Sequence, residues 1–106
     1  MSKRFVKVCL GTDIPEGEVR SFEAEGTGIA IARLDGKLFA IEDVCTHDDG
    51  PLGEGALEGC EIECPRHGAR FDVRTGAATR MPAAGPVPVF AVKVENGEIL
   101  VELETE

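Results

Sequence analysis

The chain lacks tryptophan and tyrosine altogether, and its only aromatic side chains are five phenylalanines. Its 106 residues must therefore build a core from valine, isoleucine, leucine and alanine, and hydrophobic residues make up 42% of the sequence. This length and composition predict one globular domain, residues 1–106, rather than a disordered chain.

Positive charge is also scarce, because 11 Lys and Arg stand against 20 Asp and Glu, a formal net charge of −9. This balance argues against nucleic acid or an anionic membrane surface as partner and favours a basic docking partner. No apolar run approaches the length that crosses a membrane. The segment 1–10 has neither the sustained apolar stretch of a secretory signal nor a pair of arginines. We therefore expect a cytoplasmic protein, in which thiols stay reduced.

No stretch of ten or more residues shows a helical period, whereas 13 Gly and 6 Pro indicate many turns, as in short-stranded all-β domains. Asp35-Gly36 and Asn96-Gly97 each lie between two apolar runs and predict two-residue hairpin loops. The pattern predicts strands at 5–9, 19–23, 29–34, 37–41, 62–63, 69–73, 89–94 and 99–101, with a turn at 74–76. We expect an antiparallel β base built from both ends of the chain, with a metal-binding subdomain inserted over about residues 43–88.

Histidine is nearly absent, and both copies closely follow a cysteine, in Cys45-Thr46-His47 and Cys64-Pro65-Arg66-His67. Thiolates and imidazoles suit zinc, copper or iron–sulfur chemistry. Structural zinc sites use closely spaced cysteine pairs and histidine pairs, whereas each half of this motif supplies one cysteine and one histidine. The arrangement favours a two-iron cluster with thiolates on one iron and neutral imidazoles on the other, as in Rieske centres. A zinc site is the alternative.

The sequence resembles the Rieske ferredoxin family through most of its length. The matching motifs are the two quoted above, the second of them extended to Gly68, and Gly85-Pro86-Val87-Pro88, which is similar to the family's proline loop over the cluster. The resemblance implies the all-β Rieske iron–sulfur fold and one [2Fe-2S] cluster. It also implies that Cys45 and Cys64 bind the inner iron, and that His47 and His67 bind the outer, solvent-facing iron.

Four positions depart from the high-potential Rieske proteins of respiratory cytochrome bc complexes. Gly50 and Arg66 stand where that branch has two cysteines joined as a disulfide, and Ala69 and Phe71 stand where it has Ser and Tyr hydroxyls. Hydrogen-bond donors near the sulfurs stabilise the extra electron, so their absence predicts a low potential. Eight acidic residues lie from Glu42 to Glu63 with no Lys or Arg among them, and their negative charge also predicts a low reduction potential.

The resemblance implies a soluble one-electron carrier, like the ferredoxin components of ring-hydroxylating dioxygenase systems. Such a carrier passes electrons from a flavin-dependent ferredoxin reductase to a terminal oxygenase, and we expect it to be a monomer and not itself an enzyme. A Rieske oxygenase also needs a mononuclear iron held by two histidines and a carboxylate, and both histidines here serve the cluster. The alternatives are a small Rieske-like subunit of an assimilatory nitrite reductase and a zinc-stabilised interaction module.

Cys9 and Cys60 are interpreted as a strand residue and a turn residue. A four-cysteine cluster would use them, but the spacing differs from the plant-type pattern and both histidines would be unexplained. The arginines that follow the acidic run are interpreted as part of a mixed-sign surface. The alternative is that they steer redox partners, with Arg66 as the best candidate. They are Arg66, Arg70, Arg74 and Arg80.

Overall fold

The structure is a computed structural model that describes residues 2–44, 52–65, 68–81 and 85–105. Within these ranges the chain forms eleven strands and one 3₁₀ helix, Gly11–Asp13. The strands are β1 (Ser2–Leu10), β2 (Val19–Ala24), β3 (Thr27–Leu34), β4 (Lys37–Glu42), β5 (Ala56–Glu58), β6 (Glu61–Glu63), β7 (Arg70–Asp72), β8 (Ala78–Arg80), β9 (Val89–Phe90), β10 (Val92–Glu95) and β11 (Glu98–Thr105). No helix in the described part of the chain is long and apolar enough to span a membrane.

The strands form three sheets in which every pair is antiparallel. The first sheet has the order β1-β11-β10, the second β2-β3-β4-β9 and the third β5-β6-β7-β8. The all-β class and the antiparallel base from both ends of the chain are confirmed, since β1 pairs with β11. The third sheet lies within the range predicted for an inserted subdomain, about 43–88, and that boundary stays a prediction.

Both predicted hairpin loops are confirmed. Asp35 and Gly36 have φ of 51° and 76°, and Asn96 and Gly97 have φ of 52° and 79°, the left-handed pair that the favoured two-residue loop requires. A third loop of the same kind joins β2 to β3 at Glu25 and Gly26. Its sequence predicted no turn, because glutamate has none of the turn preference of asparagine or aspartate.

The single strand predicted over 89–94 is wrong, because the chain changes sheets at Ala91. β9 pairs with β4 in the second sheet, whereas β10 pairs with β11 in the first. The Glu102 backbone N–H donates to the Ala91 carbonyl at 2.9 Å and anchors the crossing. Apolar alternation continues across this point, so it carries no information about which sheet a residue joins.

The side chains of β3 point to two different cores. Ile29 and Ile31 face a base core shared with the first sheet, and Ala30 and Ala32 face a second core shared with the third sheet. Successive residues of a strand point to opposite faces, so β3 is buried on both sides. The second core contains Val19, Ala30, Ala32, Ile41, Leu52, Ile62, Cys64, Ala69, Phe71, Val73 and Val87. It therefore holds one of the four predicted metal ligands.

Candidate metal centre

Cys64 is the predicted ligand that the structure describes, and it lies directly after β6. Strand alternation continues into it, since Ile62 and Cys64 are buried and Glu63 between them is not. The Cys64 side chain is 1% exposed and its thiol is free. The other three predicted ligands, Cys45, His47 and His67, lie outside the described residues.

Two backbone hydrogen bonds join Cys64 to the residues just before β7. The Cys64 backbone N–H donates to the Ala69 carbonyl at 2.7 Å, and the Gly68 N–H donates back to the Cys64 carbonyl at 3.1 Å. These bonds extend the β6–β7 ladder, in which Glu63 pairs with Arg70. The backbone on both sides of residues 66–67 is thus held together directly beside the Cys64 thiol.

The first predicted ligand motif follows the end of β4 in the sequence, and a carboxylate joins the described chain on either side of it. Asp43 follows β4, and its Oδ1 accepts the backbone N–H groups of Leu52 at 2.8 Å and Gly53 at 2.6 Å. Leu52 is fully buried in the same core as Cys64. Both predicted ligand motifs therefore follow strand ends that border one core.

Apolar side chains surround Cys64. Ala69 and Phe71 are fully buried, Val87 is 3% exposed, and all three belong to the core that contains the thiol. An apolar shell of this kind limits solvent access to a metal group and tunes its potential through the local dielectric. Neither Ala69 nor Phe71 carries a hydroxyl, so within this shell they offer no side-chain hydrogen bond to a sulfur.

The segment Gly85–Pro88 is fixed against two other parts of the fold. The Val87 N–H donates to the Gly76 carbonyl at 2.8 Å, and the Glu42 N–H donates to the Pro88 carbonyl at 3.0 Å. The segment thus lies between the β7–β8 turn and the end of β4. This position places the proline-containing motif at the same core as Cys64, with Val87 as its buried residue.

The outer face of the third sheet carries a charged network centred on Arg70. Its guanidinium contacts the carboxylates of Glu58 at 3.0 Å, Glu61 at 3.3 Å and Glu63 at 2.8 Å. Hydrogen bonds to Glu58, then Glu63 and Glu61, hold the pKa of Arg70 above its usual value. One cation thus links the three strands β5, β6 and β7 on the face opposite to Phe71.

Cys60 and Cys9 have the local settings predicted for them. Cys60 lies in the turn before β6, and its thiol donates to Oδ2 of Asp72 at 3.7 Å. Arg74 contacts the same carboxylate and lowers the pKa of Asp72. Cys9 lies on β1 in the base core, away from the core of Cys64. This separation argues against a cluster held by four cysteines.

Sequence reasoning missed two residues of this region, Asp43 and Arg70. From the sequence, Asp43 belongs to an acidic run and Arg70 to a mixed-sign surface with three other arginines. A usable signal exists for Arg70, because Glu61, Glu63 and Arg70 occupy the outward positions of strands whose inward positions are Ile62 and Phe71. For Asp43 the partners are backbone amides nine and ten residues later. No sequence pattern indicates such a pairing.

The described residues fit an iron–sulfur cluster. Cys64 is a buried cysteine in an apolar core, and a thiolate is the ligand that such clusters require. No group of three His, Cys, Asp or Glu side chains suited to a metal ion occurs within the described ranges, which omit three of the four predicted ligands.

Comparisons with known proteins agree with this fit. Residues 4–91 match the model of the Rieske [2Fe-2S] domain. The ferredoxin component of biphenyl 2,3-dioxygenase from Rhodococcus jostii (strain RHA1) is 42% identical, over 92% of this chain and 92% of its own length. The ferredoxin component of the naphthalene 1,2-dioxygenase/salicylate 5-hydroxylase systems from a Ralstonia species is 36% identical, over 98% of this chain and 100% of its own.

A solved structure of a related ferredoxin has the same fold. The ferredoxin of carbazole 1,9a-dioxygenase from Nocardioides aromaticivorans IC177 superposes with a TM-score of 0.86 at 36% identity, covering 92% of this chain and 95% of its own. The matched domain, the relatives and the shared fold agree with the buried thiol at the end of β6. The chain belongs to the Rieske [2Fe-2S] family.

Proposed function

We propose that this protein is a one-electron carrier with a single Rieske [2Fe-2S] cluster, which takes electrons from a flavin-dependent reductase and passes them to a terminal oxygenase. The observation that carries the proposal is the buried Cys64 thiol at the end of β6, in a chain that aligns with the whole length of a related ferredoxin component. The family relationship makes the chain an electron-transfer protein rather than a catalytic enzyme.

The proposed ligands are Cys45 and Cys64 for the inner iron and His47 and His67 for the outer iron. A bound cluster supplies a centre that accepts and releases one electron at a time. Cys64 would provide a thiolate from the buried side, while Ala69, Phe71 and Val87 keep water away from it. Two ferric ions, two sulfides and two thiolates sum to zero charge, so loading the site leaves the protein near its formal −9.

The partner proposal rests on a solved complex of related proteins. A structure of reduced oxygenase with oxidized ferredoxin in carbazole 1,9a-dioxygenase contains a chain similar to this one, with a TM-score of 0.85 at 40% identity over 92% of this chain and 91% of that one. We extend that kind of partner, a terminal oxygenase, to this protein. A flavin-dependent reductase, a monomeric state and a cytoplasmic location complete the proposal. The net charge of −9 gives no support to nucleic acid or an anionic membrane as partner.

The alternative of a small nitrite reductase subunit gains no support from the relatives, since those reported above are ferredoxins or ferredoxin components of dioxygenase systems. We propose a potential toward the low end of the Rieske range, which spans about −150 to +300 mV. The shell around Cys64 supports this, because Ala69 and Phe71 supply no hydroxyl. Gly50 and Arg66, where the high-potential branch has its disulfide, lie outside the described residues.

The test is an EPR spectrum of the dithionite-reduced protein together with its iron and sulfide content. We expect a red-brown oxidised protein and an average g well below the free-electron value, the sign of histidine ligation. A colourless protein that contains zinc, or a Cys₄-type spectrum, would overturn the cluster assignment.

Paired variants test the ligand set, and a kinetic assay tests the function. Cys64→Ser should lose the cluster, whereas Cys60→Ser should keep the spectrum, because the Cys60 thiol binds Asp72 in the turn before β6. Reduction by a flavoprotein reductase and delivery to a terminal oxygenase would support the carrier role. Co-purification with a large sirohaem protein would instead support the nitrite reductase alternative.

A further inference from the structure

Asp43 brings together two parts of the chain that the first ligand motif separates. A single oxygen, Oδ1, accepts the backbone N–H groups of Leu52 at 2.8 Å and Gly53 at 2.6 Å. Successive N–H groups that converge on one point form a concavity suited to an anion. Between Asp43 and Leu52 lie Cys45 and His47 in the sequence. The carboxylate therefore makes a closure between the backbone at residue 43 and the backbone at residues 52–53, the described ends on either side of these two positions.

Each side of this closure is fixed to the second sheet. The Asp43 N–H donates to the Gly28 carbonyl on β3 at 3.0 Å. On the other side, a Cβ added at Gly53 would lie 1.9 Å from the Oγ of Ser21 on β2. The backbone at 52–53 thus packs directly on the sheet, and Leu52 is fully buried beside it. The carboxylate therefore joins two backbone segments that are each anchored to the second sheet.

The two backbone hydrogen bonds to the Asp43 carboxylate belong to a strong class. Hydrogen bonds that involve an ionised acceptor are about twice as strong as neutral ones, and both N–H groups here are partly buried. Without the carboxylate these two donors would need new partners. Residues that hold a metal ligand in place through such bonds influence how tightly the metal group is retained.

We propose that Asp43 is a positioning residue of the Rieske centre, whose carboxylate ties the backbone at Leu52 and Gly53 to the end of β4 and so helps the protein retain the cluster. The proposal rests on the proposed cluster function, since it assumes that Cys45 and His47, which lie between these two points in the sequence, are ligands. Asp43 acts through the backbone of Leu52 and Gly53, and no contact between its side chain and the cluster is required.

The experiment compares three variants of the holoprotein. Asp43→Ala removes the acceptor, Asp43→Asn keeps an oxygen acceptor without the charge, and Glu42→Gln removes a neighbouring charge and leaves the closure intact. The rate of iron loss to a chelator and the reduction potential are measured for each. We expect iron loss to be about 10-fold to 100-fold faster in Asp43→Ala, intermediate in Asp43→Asn, and unchanged in Glu42→Gln. The potential should rise in Asp43→Asn and Glu42→Gln alike, because each loses one negative charge.

Iron loss at the wild-type rate in both Asp43 variants would overturn the proposal, and so would a rate in Glu42→Gln equal to that in Asp43→Asn. If Asp43→Ala does not fold, Asp43→Asn decides, with amide hydrogen exchange at Leu52 and Gly53 as its readout. Faster exchange at these two amides supports the closure, and unchanged exchange refutes it. A wild-type protein without iron would refute the cluster itself, and the same exchange measurement would still decide whether Asp43 holds the Leu52 and Gly53 amides.

Discussion

Arg70 and Glu63 face each other across β6 and β7, and the Arg70 Nε donates to Oε1 of Glu63 at 3.0 Å. Glu63 directly precedes Cys64, and Arg70 directly follows Ala69. On the outer face of the sheet the ion pair therefore joins the two strands on either side of the second Cys-His motif. Asp43 joins the described backbone on the two sides of the first motif through the amides of Leu52 and Gly53. In both cases a carboxylate beside the cysteine motif joins the chain on its two sides.

Arg70→Gln should lower the urea midpoint of unfolding, because Glu58, Glu61 and Glu63 would be left beside one another without a cation. Added salt screens that repulsion, so the deficit should shrink between low and high salt. Arg74→Gln is the matched control, since Arg74 is more exposed and pairs with Asp72 alone among the described carboxylates. We expect a smaller change there. If the urea midpoint of Arg70→Gln stayed equally far below that of the wild type at low and high salt, this explanation would be contradicted.

Phe71→Tyr and Ala69→Ser should each raise the reduction potential. Both positions are fully buried in the core that holds Cys64, and a hydroxyl there would place a hydrogen-bond donor near the cluster sulfurs. A gain of about 60 mV corresponds to a tenfold preference for the reduced state in a one-electron couple. Spectroelectrochemistry measures it, with Phe22→Tyr beside the base core as control. Equal potentials in all three variants would show that these hydroxyls do not reach the sulfurs.

Gly76→Ala should destabilise the protein more than Gly26→Ala does. Both glycines have left-handed backbone, with φ of 81° and 77°, so both variants carry the cost of about 1–2 kcal/mol for a side chain there. At Gly76 the added Cβ would also lie 2.1 Å from the Val87 carbonyl, whereas at Gly26 it meets nothing within 4 Å. The close contact should add about 1–3 kcal/mol. Denaturant unfolding of the two variants measures the difference, and equal losses would contradict the contact.

The Cys9 thiol should make stability fall at alkaline pH. Burial, with the nearby Asp13 carboxylate, raises the pKa of Cys9 from 9.0 to about 11. The unfolded chain then releases this proton before the folded protein does, so the contribution is complete below pH 9.0 and is lost as pH rises through about 11. The free energy of unfolding of wild type and Cys9→Ala, measured from pH 8 to pH 11, should converge across this window. Parallel curves would show that Cys9 does not titrate in this way.

Much of this protein follows from local sequence. The Asp35-Gly36 and Asn96-Gly97 loops were predictable because few residue pairs accept two successive left-handed conformations. The buried face of the third sheet was also predictable from the sequence, because the alternation of Ile62, Glu63 and Cys64 makes one face apolar. The paired Cys-His motifs restrict the chemistry to a small set of metal groups, because thiolate and imidazole are themselves the ligands.

The remainder depended on contacts between distant residues. The break at Ala91, the two cores on either side of β3, and the closures made by Asp43 and Arg70 all join residues far apart in the chain. Local preferences describe the conformation of one segment and the face that it buries. They do not say which backbone amide a carboxylate meets nine residues later, because that is decided when the sheets pack and bring the strand ends together. The sequence by itself determined the metal-binding family and the strand class, and the tertiary structure decided which distant residues join the backbone on either side of the two Cys-His motifs.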